Sequence, residues 1–207
     1  MEDLSLILEV NGLFEPFYPY VARQIAEVYG RQDGVALELG PYAPGISMAL
    51  ARLCPDLSMV VADDTPGILQ YFRERVAQAG LSHRIAVREG NKLRMPFPEG
   101  AFDLVYFRGA LFFWEDQADI LREAYQVLRA GGVAVLGGGF GADAPDGLID
   151  SLLDRSRELN RRLGKRVISE AELHALLREA GLEHCSRLDQ RHGLWVVLRK
   201  PQTPPAL

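Results

Sequence analysis

The stretch that decides the fold is Val35-Ala36-Leu37-Glu38-Leu39-Gly40-Pro41-Tyr42-Ala43-Pro44-Gly45. An apolar run carrying the carboxylate of Glu38 turns through glycine and proline and continues into a helix-period run from Ile46. Ligands of open α/β sheets bind beyond the carboxyl ends of the strands, and glycine lets a loop backbone approach a ligand closely. The stretch therefore predicts a strand, a loop and a helix, either as a nucleotide-like ligand site or as a tight structural turn.

A second acidic strand end is predicted at Asp63, which follows the apolar run Met59–Ala62. A carboxylate there can accept hydrogen bonds from both vicinal hydroxyls of a ribose. Alternatively, Asp63, Asp64 or Thr65 caps the helix that begins near Pro66. Both interpretations can hold together, with Asp63 as the ligand group and Asp64 or Thr65 as the cap.

Short β-prone runs alternate with helix-period runs along the chain, which is typical of parallel strands covered by helices on both faces. Ser169 and Glu172 have the spacing of a capping box. The predicted strands lie near 35–39, 59–63, 84–88, 102–107, 133–137, 183–188 and 194–199, and the predicted helices cover 45–54, 66–79, 117–129 and 169–180.

Composition limits the possible functions without deciding among them. The chain has 207 residues, 48% of them hydrophobic, which suits one well-buried domain. Its net charge of -5 argues against broad binding to nucleic acid, which needs clustered positive charge. The densest basic run, between Arg155 and Arg166, contains Glu158 and is typical of a solvated helix face.

The two cysteines, Cys54 and Cys185, provide neither metal-ligand spacing nor a disulfide framework, so we expect no metal. No apolar run approaches the roughly 20 residues of a membrane span. The acidic start, Met1-Glu2-Asp3, is unlike a secretory signal. We therefore expect a cytoplasmic protein without a membrane span.

From about Gly34 to Lys200 the chain resembles the class I S-adenosylmethionine-dependent methyltransferases, particularly the small-molecule enzymes called type 11. The individual motifs are weak, but their order and spacing together are specific. The residues that carry the resemblance are Glu38 and Gly40, then 61–69, 85–93, 95–106 and 121–132.

The resemblance implies an α/β, Rossmann-like three-layer sandwich with a mostly parallel seven-stranded sheet whose last strand is antiparallel. It also implies S-adenosyl-L-methionine as cofactor. Glu38 and Gly40 would face its methionine part, Asp63 its ribose, and Ile68 and Asn91 its adenine, with a backbone donor at Lys92. The full set of cofactor-binding residues predicted in this way is Glu38, Gly40, Tyr42, Gly45, Asp63, Asp64, Ile68, Asn91, Lys92 and Phe107.

Two positions depart from the family pattern. Tyr42 stands where a second glycine is expected, and Pro44-Gly45 suggests a loop longer by one residue. We expect that the longer loop turns Tyr42 outward so that the cofactor still fits. Asn91 replaces the usual aspartate but keeps a side-chain oxygen that can accept the adenine amine.

The predicted acceptor pocket follows the fourth strand, and its candidate residues are Tyr18, Tyr20, Arg108, Phe112 and Trp114. Arg108 can hold a carboxylate or phosphate bidentately, or can form an ion pair with Glu38 or Asp103. The aromatic residues either shape an apolar pocket or belong to the core. A histidine that many relatives carry near Phe113 is missing, so no catalytic base can be assigned.

Three segments are predicted: a helical lid or cap over residues 1–33, a methyltransferase domain over 34–200 and a disordered tail over 201–207. The aromatic stretch 11–20 either closes over a cofactor or packs against the sheet edge. The glycine-rich stretch 137–141, with the polar segment to Asp150, is expected to form a second flexible wall. It lacks P-loop spacing.

The expected function is methyl transfer to a small-molecule acceptor by in-line displacement. The alternative is a non-catalytic protein of the same fold that binds a partner. An NAD-dependent oxidoreductase is disfavoured because Gly40–Gly45 does not form G-x-G-x-x-G. The sequence does not indicate the oligomeric state.

Overall fold

The structure is a computed structural model that describes residues 4–112 and 115–202. Helices and strands alternate over most of this length. The helices are α1 (Leu4–Phe14), α2 (Tyr18–Tyr29), α3 (Gly45–Leu53), α4 (Ile68–Gln78), α5 (Gln117–Gln126), α6 (Asp146–Arg162) and α7 (Glu170–Glu179). The strands are β1 (Asp33–Leu39), β2 (Asp56–Asp63), β3 (Ile85–Glu89), β4 (Phe102–Arg108), β5 (Leu128–Gly139), β6 (Ser186–Asp189) and β7 (Gly193–Arg199).

The strands form one seven-stranded sheet in the order β3-β2-β1-β4-β5-β7-β6. The pairs from β3 to β5 are parallel, whereas β7 runs antiparallel to both β5 and β6. The order reverses between β1 and β4, which is the position where ligands bind in open α/β sheets. The predicted fold class, including the reversed last strand, is confirmed.

Two apolar cores cover the two faces of the sheet. One joins the sheet to α1, α2, α3, α4 and α6, and the other joins it to α5 and α7. Every residue of β4 is buried, as expected of a central strand with helices on both faces. The sandwich therefore fixes the carboxyl ends of β1, β2 and β4 at one edge.

Residues 4–29 form α1 and α2, joined by a 3-10 turn over Glu15–Phe17. Their aromatic side chains lie inside the fold: the Phe14 and Phe17 rings lie 5.6 and 4.8 Å from Phe140. Aromatic packing against the body of the protein is therefore observed, and the role of residues 1–33 as a lid remains a prediction.

Two predicted boundaries are wrong. The helix expected over 117–129 ends at Gln126, because the chain enters β5 at Leu128, where it pairs with Phe102. The strand expected over 183–188 begins only at Ser186, after a 3-10 turn over Glu183–Cys185. In the segment 137–150, Gly137–Gly139 pair with β7 and α6 begins at Asp146, and the role of this segment as a flexible wall stays a prediction.

The capping box of Ser169 and Glu172 at the start of α7 is confirmed. Among the described residues, no helix has both the length and the apolar character that a bilayer crossing requires. The predicted tail lies outside the described residues from position 203 onward.

Gly40 lies at one of the tightest points of the fold. Its φ is +94°, and a Cβ added there would lie 2.1 Å from the Phe107 ring. Left-handed backbone costs an L-residue about 1–2 kcal/mol, and forcing extra atoms into a packed site costs about 1–3 kcal/mol more. We expect Gly40→Ala to lower the free energy of unfolding by about 3 kcal/mol in urea denaturation.

Gly80→Ala is the matched control, because Gly80 also has a positive φ but nothing within 4 Å of an added Cβ. We expect this variant to lose only about 1 kcal/mol. Equal losses in the two variants would contradict the packing of Phe107 on Gly40.

Candidate functional site

Glu38 anchors the loop between β1 and α3. Its Oε2 accepts hydrogen bonds from the Ser47 backbone N at 2.9 Å and the Ser47 Oγ at 2.5 Å. Ser47 Oγ also lies 2.6 Å from the Tyr106 hydroxyl on β4. A carboxylate at a helix N-terminus satisfies free N–H groups and interacts favourably with the helix dipole. The acid predicted at the cleft mouth therefore fixes the loop to the first turn of α3.

The N-terminal helices cover this loop. Asn11 Nδ2 donates to the Pro41 carbonyl oxygen at 3.1 Å. The Tyr18 hydroxyl donates to Asn11 Oδ1 at 2.9 Å, and the Tyr18 ring packs so closely on Gly45 that an added Cβ would lie 2.1 Å from it. Residues 40–44 are all buried as a result.

Asp63 lies at the carboxyl end of β2, next to β1, with 2% of its surface exposed. Its Oδ1 accepts a hydrogen bond from the Thr65 backbone N at 2.7 Å. A carboxylate has about four acceptor positions. Asp63 thus has acceptor capacity beyond this bond, as a ribose diol would require.

The predicted side-chain cap of the following helix is wrong. The N-cap of α4 is Gly67, which makes no side-chain cap hydrogen bond, and Ile68 at the helix start is buried. Asp64 instead pairs with residues from the loop after β3. It accepts from Asn91 Nδ2 at 2.6 Å and lies 3.2 Å from Lys92 Nζ.

The side-chain oxygen of Asn91, predicted to accept the adenine amine, accepts the Leu93 backbone N at 2.8 Å. These contacts with Asp64, the chain neighbour of Asp63, therefore hold Asn91 and Lys92 beside the end of β2. The amide of Asn91 stabilises this turn in the structure.

Arg108 ends β4 and is only 9% exposed. Its guanidinium carbon lies 3.7 Å from the Phe14 ring centroid and 5.7 Å from that of Tyr42. Within residues 4–112 and 115–202, no carboxylate lies within salt-bridge distance of Arg108, and Nε has no hydrogen-bond partner. Asp103, one expected partner, pairs with Arg31 and Arg129 instead.

Tyr42 does not turn outward, contrary to expectation. It is 4% exposed and faces the same cavity as Arg108. The buried Ala43 and Pro44 that follow it, covered by the N-terminal helices, leave the loop no outward position for the ring.

An inner cavity of about 60 Å³ lies beyond β4 and β5. It is lined by Val10, Phe14, Tyr42, Arg108, Gly109, Phe112, Gly138, Gly139, Phe140, Ser156, Asn160 and Lys165. An outer cavity of about 480 Å³ adjoins it and shares Phe112, Gly138, Gly139, Phe140 and Lys165 as lining. Together these cavities form a compartment on the β4–β5 side of Glu38.

Only some of the residues predicted to bind the acceptor line these cavities. Arg108 and Phe112 line the inner cavity, whereas Tyr18 packs on Gly45. Tyr20 lies on another side, under the Arg23 guanidinium, whose carbon is 4.5 Å from its ring centroid. Trp114 lies outside the described residues.

Phe107, predicted to bind the cofactor, is fully buried behind Gly40. The sequence analysis missed the cavity residues of α6, Ser156 and Asn160. Their spacing of four residues, in phase with the apolar Leu152 and Leu159, would have placed them on the inner helix face.

Burial controls the protonation of both acids. It raises the pKa of Glu38 to about 7, against the hydrogen bonds from Ser47 and the charge of Arg108. It raises the pKa of Asp63 to about 6, against the hydrogen bonds from Thr65 and the charge of Lys92. A positive charge placed between these carboxyl groups would favour their ionised forms.

Comparison with known proteins places this geometry in a family. The methyltransferase-domain family matches residues 37–136, from within β1 to within β5. A solved structure described as a putative S-adenosyl-L-methionine-dependent methyltransferase from Methanococcus maripaludis has a TM-score of 0.81 and 28% identity, over 99% of this chain and 96% of that one. The chain belongs to the class I S-adenosylmethionine-dependent methyltransferases of type 11.

Two curated relatives that the chain matches are larger proteins. The chain is 30% identical over 140 residues to 27-O-demethylrifamycin SV methyltransferase from Amycolatopsis mediterranei, covering 68% of this chain and 50% of that one. It is 33% identical over 110 residues to L-tyrosine C(3)-methyltransferase from Streptomyces lavendulae, covering 52% and 30%. The chain thus spans half or less of the length of these two relatives.

The cofactor of this methyltransferase family is S-adenosylmethionine, and the residues present suit it chemically. The cofactor is a cation at its sulfonium and its amine, and the strand ends of β1 and β2 each carry a buried carboxyl group. Its nucleoside carries a diol, for which the Asp63 carboxylate has acceptor capacity.

The raised pKa values predict how the stability of this protein depends on pH. Between the ordinary carboxyl pKa and the folded-state value, the folded protein holds protons that the unfolded chain has released, so the free energy of unfolding falls as pH rises. For Glu38 this window runs from 4.5 to about 7. At 1.36 kcal/mol per pKa unit, its share of the fall is about 3 kcal/mol.

We expect Glu38→Gln to remove that share, giving a shallower fall between pH 4.5 and 7 in urea denaturation of the protein without cofactor. Glu99→Gln, which removes the same charge from an exposed position, is the control and should follow the wild type. An identical pH dependence in wild type and Glu38→Gln would contradict the buried, proton-holding state of Glu38.

Proposed function

We propose that this protein transfers the methyl group of S-adenosylmethionine to a small-molecule acceptor. The observation that carries the proposal is the juxtaposition, at the switch point of the sheet, of two buried carboxyl groups with a separate compartment. Glu38 and Asp63 occupy adjacent strand ends on one side. The two cavities beyond β4 and β5 lie on the other.

Glu38 and the backbone of residues 40–45 would hold the methionine part of the cofactor. Asp63 would accept the two ribose hydroxyls, and Ile68 with the loop around Asn91 would border the adenine. The sulfonium supplies an electrophilic methyl group whose transfer by in-line displacement needs no covalent intermediate with the protein. Alignment of two bound reactants can supply roughly 7–11 kcal/mol of the barrier reduction.

The acceptor would bind in the compartment that Arg108 and Phe112 line. A combined volume of several hundred Å³ is of the size that drug-sized ligands occupy. The relatives named above are methyltransferases of 27-O-demethylrifamycin SV and of L-tyrosine, both small molecules, which supports an acceptor of that class. Residues 1–33 would act as the cover of the cofactor side, since α1 and α2 already close over residues 40–45.

A second candidate is a non-catalytic protein of this fold that binds a partner. The burial of Tyr42 and the closed contacts of Asn11 and Tyr18 over the loop favour it. These contacts would have to open before a cofactor could enter. Cofactor binding in solution separates the two candidates.

Calorimetric titration with S-adenosylhomocysteine is the test. We expect the wild type to bind and Asp63→Asn to bind about 10- to 100-fold more weakly, because hydrogen bonds to a charged group contribute about 1.5–3 kcal/mol. Asp56→Asn removes the same charge from the exposed opposite end of β2 and should match the wild type.

Two results would count against the proposal. Absence of binding to the folded wild type would favour the partner-binding candidate. Equal losses in Asp63→Asn and Asp56→Asn would indicate a general charge effect and no ribose contact.

A further inference from the structure

The inner cavity is electropositive in a protein whose net charge is -5. Of the described residues that line it, two are cations, Arg108 and Lys165, and none is a carboxylate. Its other polar side chains, Tyr42, Ser156 and Asn160, are neutral hydrogen-bonding groups. A cavity of this composition suits an anion.

Among the described residues, Arg108 has no carboxylate within salt-bridge distance. It is nine-tenths buried, and its Nε makes no hydrogen bond within the part of the chain that the structure describes. Buried charges in proteins are normally paired, because removing an ion from water is costly. Burial accordingly lowers the pKa of the Arg108 guanidinium, against the opposing influence of Tyr18, Tyr42 and Glu38.

The Phe14 ring contributes a cation–π contact to Arg108 but supplies no acceptor for its N–H groups. This contact therefore orients the guanidinium but leaves its Nε donor without an acceptor among the described residues. A ligand with two oxygens in one plane would match its fork of donors.

Lys165 stands where the two cavities meet and lines both. Its Nζ lies 4.7 Å from the centroid of the Phe112 ring, which lines both cavities as well. Loss of hydration and the charge of Arg108 lower the pKa of Lys165. The two cations thus act on the same space from different walls, and an anion between them would relieve their repulsion.

The outer cavity adds Arg166 and the imidazole of His192 to the lining. The carboxylate among its described lining residues, Asp146, has a side chain that is 89% exposed and lies 3.6 Å from His192 Nε2. The inner cavity is therefore the better anion site, and the larger outer cavity is left for the body of the same molecule.

We propose that the inner cavity binds a carboxylate of the methyl acceptor, with Arg108 as its bidentate partner and Lys165 as a second cation. This inference rests on the proposed methyl transfer and specifies its substrate class. A planar monoanion matches one buried guanidinium, whereas a phosphate monoester carries more charge and a third oxygen.

The test uses the whole chain, with and without saturating S-adenosylhomocysteine, and three probes that share one ring: benzoate, benzamide and phenyl phosphate. Their dissociation constants are measured by NMR titration. We expect benzoate to bind the wild type about tenfold or more tightly than either other probe, since ion pairing adds to the hydrogen bonds.

Arg108→Met should weaken benzoate binding about 10- to 100-fold and leave benzamide binding unchanged. Lys165→Gln should weaken benzoate less, because its ammonium is a rim charge. Arg157→Gln removes the same charge from an exposed site on α6 outside both cavities and should match the wild type. The melting temperature of unliganded Arg108→Met should not fall, because the variant loses an unpaired buried charge.

Several outcomes would overturn the inference. These are equal affinity of the wild type for benzoate and benzamide, preference for phenyl phosphate, or a lower melting temperature of Arg108→Met with unchanged benzoate binding. Another is a loss of S-adenosylhomocysteine affinity in Arg108→Met without loss of 5′-methylthioadenosine affinity, which would assign the guanidinium to the cofactor's own carboxylate.

Failure of the proposed function is distinguishable from failure of this inference. It would be seen as no binding of S-adenosylhomocysteine to the wild type, whatever the probes do. The titrations without S-adenosylhomocysteine then still test the anion site, because they compare the affinity for benzoate with the affinities for benzamide and phenyl phosphate.

Discussion

The hydrogen bonds from Ser47 to Glu38 are the constraint on which the ligand end of this protein depends. They join the end of β1 to the first turn of α3, and through the Tyr106 hydroxyl they include β4. Residues 40–44 must then cross a fixed short span, which brings Gly40 against Phe107. The cover formed by α1 and α2 packs on this loop and keeps Tyr42 buried.

The charges along the strand ends are sorted by sign. Glu38 and Asp63 lie on β1 and β2, where the cationic cofactor of the family would bind, and Arg108 lies on β4, beside the acceptor compartment. Each group is buried without full compensation, because burial shifts its pKa toward the uncharged form. A cation bound beside the two carboxyl groups and an anion bound beside the guanidinium would each favour the charged forms of these buried groups.

The sequence predicted the β1–α3 unit and the acidic end of β2, because local periodicity and strand-end residues decide them. The reversed last strand was expected from the resemblance to the methyltransferase family. It did not predict the inward position of Tyr42, which depends on Asn11 and Tyr18, more than 20 residues away in the chain. The early end of α5 has a similar cause, since the pairing of Leu128 with Phe102 on a distant strand ends the helix. The cavity residues of α6, Ser156 and Asn160, were missed because the basic run around them was interpreted as a solvated helix face, which describes only the outer side of that helix.

The central claim is that the carboxyl ends of β1 and β2 bind S-adenosylmethionine through Glu38, Asp63 and the intervening loop. A crystal structure of the complex with S-adenosylhomocysteine tests it most directly. The account predicts both ribose hydroxyls within hydrogen-bond distance of the Asp63 carboxylate and the amino-acid arm beside residues 40–45. A nucleoside bound elsewhere, with the Tyr42 ring and α1 filling the strand ends, would contradict it.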